Sequence, residues 1–311
     1  MIRRLILAAF LALAAMPAAA QEKLTVLLDW FVNPDHGPLY VALERGYFRE
    51  AGLEVELIAP ADPNDPPKLV AAGRGDIAIS YQPQLHLQAD AGLPLKRFGT
   101  LVATPLTTLI VLRDGPITRI DQLKGKKVGY SVAGFEDAVL GTMLETHGLS
   151  LKDVTLVAVN FALGASLMAG QVHATIGGYR NFELNQMAIE GRPGRAFFPE
   201  EEGVPPYDEL IFVAHRDRLA DPKLKRFIDA VEKATLFLVN RPEEAWNLFI
   251  KGRPDLDTEL NRRAWTDTVP RFAHSPGGLD TRRYERFAEF LKARGLIKAV
   301  PPVADYAVEL R

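Results

Sequence analysis

The stretch LDWFVNPDHGPLYVALERGYF, residues 28–48, decides how this chain is read. Leading into it, Leu24, Val26 and Leu28 form an apolar run that predicts a buried strand ending at Asp29–Trp30. A loop of polar and turn residues follows, Asn33-Pro34-Asp35-His36-Gly37. Pro38 suits the first turn of a helix, where its missing N–H is no loss. Leu39, Val41, Ala42, Leu43, Tyr47 and Phe48 give that helix an apolar face. Strand, polar loop and helix N-terminus in succession mark the place where an open α/β sheet holds its ligands. Trp30, set in such a loop, is better explained by a flat ligand than by a core. The competing reading has the indole plugging the top of the sheet, since tryptophan is buried on average.

Upstream, the chain opens as an export signal. Arg3 and Arg4 form a basic start, residues 5–13 an apolar run, and Ala18-Ala19-Ala20 a small-x-small cleavage pattern. Cleavage after Ala20 is expected, sending a protein that starts at Gln21 to the periplasm. The apolar run is too short to span a bilayer, and no later run approaches that length. The sequence has no cysteine, so a disulfide, a thiolate metal site and an acylated anchor are all excluded. A freely diffusing monomer is the expectation. With 37 basic and 39 acidic residues the net charge is −2, which argues against nucleic acid or a membrane surface as partner. The roughly 290 residues after the signal exceed what one compact core usually holds and suggest two lobes.

Strands and helices alternate, the pattern of doubly wound α/β architecture. The first series has strands at 24–28, 55–58, 77–80, 99–103 and 109–112, with helices at 38–51, 66–72 and 83–91. The turn cluster Asp114-Gly115-Pro116 is expected to mark a crossing into a second lobe. That lobe has strands at 127–130, 155–159 and 174–176, and helices at 136–146, 162–169 and 182–190. Pro205-Pro206 breaks the chain before an apolar strand, 210–214, that crosses back. From Pro222 onward the pattern is helical, at 224–239, 245–250 and 284–291. The expected fold is α/β: lobe 1 from residues 21–113 and 209–311, lobe 2 from 114–208, with a hinge and a ligand cleft between them.

If ligands sit at the carboxyl ends of strands, five loops line that cleft. They carry Asp29, Trp30, Asn33 and His36; Tyr81 and Gln82; Gly134, Phe135 and Glu136; Phe161; and Tyr179, Asn181 and Glu183. Aromatics for stacking beside mixed donors and acceptors suit a planar, polar, nitrogen-containing ring. Plainer roles compete. Gly134 serves equally to open a helix and Glu136 to cap its first turn. Asn181 and Glu183 fit a helix N-cap and first-turn acid. Tyr81 fits a lobe interface as well as a stacking wall. His36 has no cysteine, glutamate or second histidine nearby, so no metal site is expected; a single hydrogen bond or a helix cap suits it better. Asp62, Asn64 and Asp65 read as a solvated loop or cap, and Lys124–Lys127 as a solvated turn.

These segments resemble a known family. LDW…N…H-GPLYVALERGYFREAGLEVEL, then GRGDIAISY, LKGKKVGY and GGYRNFELNQM, are similar to the thiamine-pyrimidine (thiamine pyrimidine synthase-like) family of type II periplasmic binding proteins. The likeness runs from about residue 24 to about 247. That family joins exported binding components of importers for thiamine pyrimidine precursors with the fungal thiamine pyrimidine synthase. The resemblance implies an aminopyrimidine ligand (hydroxymethylpyrimidine or formylaminopyrimidine type) and, as partners, an ABC permease with its ATPase. It also implies that Trp30 stacks on the pyrimidine while the opposite lobe adds an aromatic and a carboxylate. Those roles fall on Tyr179 and Glu183, with Tyr81 and Glu136 as competitors.

The same resemblance tests the enzyme reading. The fungal synthase consumes an active-site histidine and holds pyridoxal phosphate on a lysine just after the strand matching residues 76–79. Ser80 stands about there, and no lysine lies between Lys68 and Lys96. An aldimine needs an amine. The synthase's cysteine-rich motif is absent as well, and no G-x-S-x-G elbow suggests a hydrolase. No enzyme activity, catalytic residue or cofactor is expected. Among other ligands, riboflavin is a further flat ring, and a sulfonate is what more distant relatives bind. A sulfonate reader should present Arg or Lys on the cleft loops, where only Arg180 qualifies.

Overall fold

The computed structural model describes residues 21–310; the export signal expected at 1–20 lies outside them. Ten strands run through the described residues. They are β1 (Glu22–Leu27), β2 (Leu53–Ile58), β3 (Ile77–Ser80), β4 (Leu95–Val102) and β5 (Thr107–Leu112), then β6 (Lys127–Tyr130), β7 (Thr155–Ala158), β8 (Ala174–Tyr179), β9 (Gly194–Phe197) and β10 (Leu210–His215). They form two five-stranded sheets, ordered β2-β1-β3-β10-β4 and β7-β6-β8-β5-β9. In the first, β1 is parallel to β2 and β3, and β10 antiparallel to β3 and β4. In the second, β6 is parallel to β7 and β8, and β5 antiparallel to β8 and β9. The register sets Leu24 level with Val55 and Val26 with Ile77. Each strand that enters from the other lobe is thus the antiparallel one of the sheet it joins. This is the two-lobed α/β architecture expected from the alternation.

The helices follow from local chemistry. Gly37–Glu44 (α1) starts with Pro38 in its first turn, and Tyr47–Glu50 (α2) follows after Gly46. The pattern predicted one helix over 38–51. Gly46 adopts φ 75°, a left-handed conformation that ends the first helix and restarts the second. Pro66–Ala71 (α3) and Gln82–Asp90 (α4) complete the first series. Phe135–Glu145 (α5), Leu163–Met168 (α6) and Glu183–Ile189 (α7) belong to the second. Pro222–Asn240 (α8) begins at Asp221, whose side chain accepts the Lys223 N–H at 3.0 Å. It buries Leu224, Phe227, Ile228, Val231 and Leu238 on one face, each worth about 1.5–3 kcal/mol, and stops before Pro242. Phe227 stacks on Phe48 of α2 at 5.4 Å and 3°. Pro242–Phe249 (α9), Glu259–Thr268 (α10) and Thr281–Ala293 (α11) end the chain. Gly37 is hemmed in by Trp265 of α10: a Cβ there would come within 2.8 Å of the indole. Among the described residues no helix is long and apolar enough to cross a membrane.

Three expectations need correction. The strand at 109–112 was assigned to lobe 1, with the crossing at Asp114-Gly115-Pro116. It is instead part of β5, which pairs with β8 and β9, so the chain crosses at 103–106. Gly115 merely donates to the Leu112 carbonyl in a turn after β5. An all-apolar strand such as LIVL cannot announce which of two sheets it joins. The second correction is β4, which begins at Leu95 rather than 99 because Arg97 is buried in it. The guanidinium donates to Thr100 Oγ1 at 2.8 Å, to Val308 O at 3.3 Å and to Gly278 O. A charge inside a strand breaks the apolar pattern. Finally, β9 went unseen, since GRAF is a half-buried edge strand with little apolar signal.

The two crossings meet at one carboxyl group. Glu209, on the returning segment, accepts the N–H groups of Leu106 and Thr107 at 2.5 and 2.9 Å and the Thr107 hydroxyl at 2.9 Å. It is fully buried, and burial pushes its carboxyl up to about 7.

Candidate ligand-binding site

The loop after β1 is fixed from within. Asn33 caps a short turn, Pro34–His36, by accepting the Asp35 N–H on Oδ1 at 2.8 Å. His36 Nδ1 accepts the Asn33 N–H at 3.3 Å, which leaves the ring proton on Nε2. That nitrogen donates to Asp29 Oδ1 at 3.0 Å, and the Tyr81 hydroxyl donates to Asp29 Oδ2 at 3.1 Å. Asp29 is therefore oriented by two donors of its own lobe.

The opposing lobe places its carboxyls at helix starts. Glu136, in the first turn of α5, accepts the Ser131 N–H at 2.7 Å. Glu183, the first residue of α7, accepts the Tyr179 N–H at 2.6 Å. Burial pushes Glu136 well above the usual carboxylate range and Glu183 up to about 7, against the lowering effect of those backbone bonds. Each acid thus ties down the loop before its helix, and neither caps the helix itself.

Between the lobes lies a pocket of about 410 Å³, counted out to its mouth. Lobe 1 contributes Asp29, Trp30, Asn33, Asp35 and Tyr81 to its wall. The second lobe contributes Phe135, Glu136, Tyr179 and Glu183, joined by Val132, Leu163, Gly177 and Phe182. As the lobes stand, little of that space is open to a ring. Aromatic rings close the gap. Tyr81 and Phe135, from opposite lobes, stack at 5.0 Å and 20°. Trp30 meets Phe161 edge-on at 4.6 Å.

Eight of the twelve residues proposed from sequence are in this wall; His36, Gln82, Gly134 and Asn181 are not. His36 is fully buried behind Asp29 and makes no cap for α1. Gln82 turns to the return crossing, where its Oε1 accepts the Asp208 N–H at 2.8 Å. Gly134 sits at φ 84° and opens α5. Asn181 stands behind the wall and donates to Asp35 Oδ1 and Thr268 Oγ1, both at 2.6 Å.

Sequence reasoning missed Asp35, Gly177, Val132, Leu163 and Phe182. Asp35 was in the quoted loop, but Pro34-Asp35 reads as a solvated turn. Asn64, expected in solvent, instead bridges the lobes: it donates to Ser131 O and accepts the Ala133 N–H, each at 3.0 Å.

The electrostatics are one-sided. Asp29, Asp35, Glu136 and Glu183 line the pocket, and its wall holds no lysine or arginine. Arg180 is engaged elsewhere, bidentate to Glu200 at 2.6 and 3.0 Å with its guanidinium over the Phe198 ring. Burial raises Asp35 to about 6. The Tyr179 hydroxyl and Asp35 Oδ2 are buried without a partner among the described residues. Such a pocket suits a flat molecule rich in N–H donors, neutral or weakly basic, and opposes an anion.

Comparison with known proteins agrees with this fold. A family model described as NMT1/THI5 like matches residues 33–245. A Haemophilus influenzae protein named for thiamine biosynthesis is 51% identical over 95% of this chain and 94% of its own length. A formylaminopyrimidine-binding protein of Halalkalibacterium halodurans is 32% identical, over 93% and 90%. A 4-amino-5-hydroxymethyl-2-methylpyrimidine phosphate synthase of Aspergillus parasiticus is 28% identical, over 89% and 84%. Among solved structures, the alkanesulfonate-binding protein SsuA of Xanthomonas axonopodis pv. citri superposes with a TM-score of 0.72 at 17% identity, covering 95% of this chain and 99% of that one. At that identity the likeness is one of fold.

Proposed function

This chain belongs to the NMT1/THI5-like family, and we propose that it is the exported substrate-binding component of an ATP-driven importer, taking up an aminopyrimidine precursor of thiamine. The observation that carries this reading is the wall itself: facing aromatic rings with four carboxyls and no cation. A 4-aminopyrimidine has two π faces for Trp30, Tyr81 or Phe135. Its edge presents a ring nitrogen beside an amine, which a carboxyl meets with two hydrogen bonds. Where that carboxyl is protonated, as burial favours for Glu136 and Glu183, it donates to the ring nitrogen and accepts from the amine. The narrowness of the pocket means that a ring enters by parting the aromatic pairs. Lobes that open and close supply that motion.

Several observations favour binding over synthesis. Ser80, near the place of the synthase lysine, donates to Gln84 Oε1 at 3.0 Å, and the chain has no cysteine. The pairing of Arg180 with Glu200 speaks against a sulfonate. The basic start, apolar run and small-x-small pattern of residues 1–20 support export, and a permease with its ATPase is the partner an exported binding component needs.

Calorimetry with 4-amino-5-hydroxymethyl-2-methylpyrimidine, its formylaminomethyl analogue, an alkanesulfonate and riboflavin tests the reading. Saturable one-to-one binding of a pyrimidine is expected, with neither of the others bound. No binding of either pyrimidine overturns it.

A further inference from the structure

Of the four pocket carboxyls, three spend their hydrogen bonds within their own lobe. Asp29 is held by His36 and Tyr81, Glu136 by Ser131, and Glu183 by Tyr179. Asp35 differs. It lies in the wall on the lobe 1 side, 1% exposed. Its Oδ1 takes an N–H from Asn181 of the other lobe at 2.6 Å and sits 2.9 Å from the Thr268 hydroxyl. The second amide hydrogen of Asn181 goes to Thr268 Oγ1, so both are committed to this junction. The other carboxylate oxygen, Oδ2, is buried with no partner among the described residues. A buried oxygen left unpaired is unfavourable and calls for a donor.

We propose that Asp35 couples occupancy to closure: Oδ1 fastens the opposite lobe through Asn181, and Oδ2 receives an N–H of the ligand. The ligand half rests on the reading of the pocket as an aminopyrimidine site. A neighbouring contact extends the same seam, Asn185 Nδ2 donating to Asp267 Oδ2 at 2.8 Å. Asn64, with Ser131 and Ala133, forms a second seam between the lobes. A ligand donor on Oδ2 removes the penalty of the unpaired oxygen only when the lobes are shut. Binding therefore favours the closed state through this one side chain.

Two substitutions separate the halves. Asp35→Asn keeps an acceptor for Asn181 but offers the ligand an amide N–H in place of Oδ2. Asn181→Ala removes the latch and leaves Oδ2 intact. Interlobe distance is read by electron–electron double resonance between spin labels on cysteines introduced at the exposed Arg74 and Lys152, in a chain with no cysteine of its own. The binding probe is 4-amino-5-hydroxymethyl-2-methylpyrimidine.

For Asn181→Ala the ligand-free distance distribution should lengthen and broaden, and probe release should quicken at least fivefold with little change in association. Asp35→Asn should keep the wild-type ligand-free distance and lose at least tenfold in affinity. If Asn181→Ala does not fold, Asn181→Ser makes the same removal with a polar side chain. An unchanged distance in the Asn181 variant overturns the closure half. Undiminished affinity in Asp35→Asn, with wild type binding the probe, overturns the ligand half. If wild type itself does not bind the probe, the aminopyrimidine reading fails and the ligand half with it, while the closure half is still decided by the distances.

Discussion

Gly177 lies against the carboxyl group of Glu136: a Cβ at position 177 would fall 2.2 Å from Glu136 Oε1. The glycine is also at φ 94°, where an L side chain is strained. Gly177→Ala should therefore displace Glu136 and lower stability by about 1–3 kcal/mol, the range for overfilling a packed site. A chemical melt and a pyrimidine titration check this. Wild-type values in both would show that the carboxyl is free to move and that its seat is unimportant.

Trp30 is only partly buried and meets Phe161 of the other lobe edge-on, so its removal should spare the fold. Trp30→Ala is expected to weaken pyrimidine binding by about 1–3 kcal/mol, the order seen when a base loses its aromatic platform. Calorimetry measures it. Unchanged affinity, or a variant that simply unfolds, would return the indole to a packing role.

Glu183→Gln keeps the volume and an acceptor for the Tyr179 N–H but replaces the second oxygen with an amide NH2, a donor. At pH 8, above its raised value of about 7, Glu183 is mostly ionised, and pyrimidine affinity should drop there by about 1.5–3 kcal/mol, the range for a hydrogen bond to a charged group. A pyrimidine lacking the exocyclic amine should lose much less. Equal binding of both compounds by variant and wild type would leave Glu183 as a helix-start acid and pass the edge-reading role to Glu136 or Asp29.

Buried acids also set a pH dependence of unusual sign. Asp35 is raised to about 6, and Glu183 and Glu209 to about 7, by burial. Unfolded, such groups titrate near 4, so between roughly pH 4 and 7 the folded chain holds more protons. Stability is then greatest at the acid end of that window and falls as pH rises through it. The ligand-free melting temperature should be several degrees higher at pH 5 than at pH 8. Glu209→Gln, which stays neutral, should show a shallower slope. A flat or rising profile in wild type would mean that these carboxyls are ionised in the folded chain.

Much of this was legible beforehand. The run from Leu24 to Phe48 showed its strand, loop and helix because an apolar period and turn residues coincide there. Trp30, Tyr81, Phe135, Glu136, Tyr179 and Glu183 stood out as aromatics and acids at strand ends, and all reached the pocket. What escaped notice depends on tertiary context. Asp35 and Asn64 look solvated in any local window, and only the approach of the second lobe buries one and bridges the other. His36 and Gln82 lay in the right loops but turn away, a matter of rotamer and partner that spacing does not encode. The buried Arg97 hid the start of its strand in the same way.

Glu209 has one more effect, on the geometry of motion. Two separate connections between rigid bodies, free to flex at different points, would allow twisting and sliding as well as opening. By gripping Leu106 and Thr107 from the returning segment, Glu209 pins both connections at one place. The two connections therefore cannot slide past one another without breaking these three bonds, and any bending of one is carried into the other.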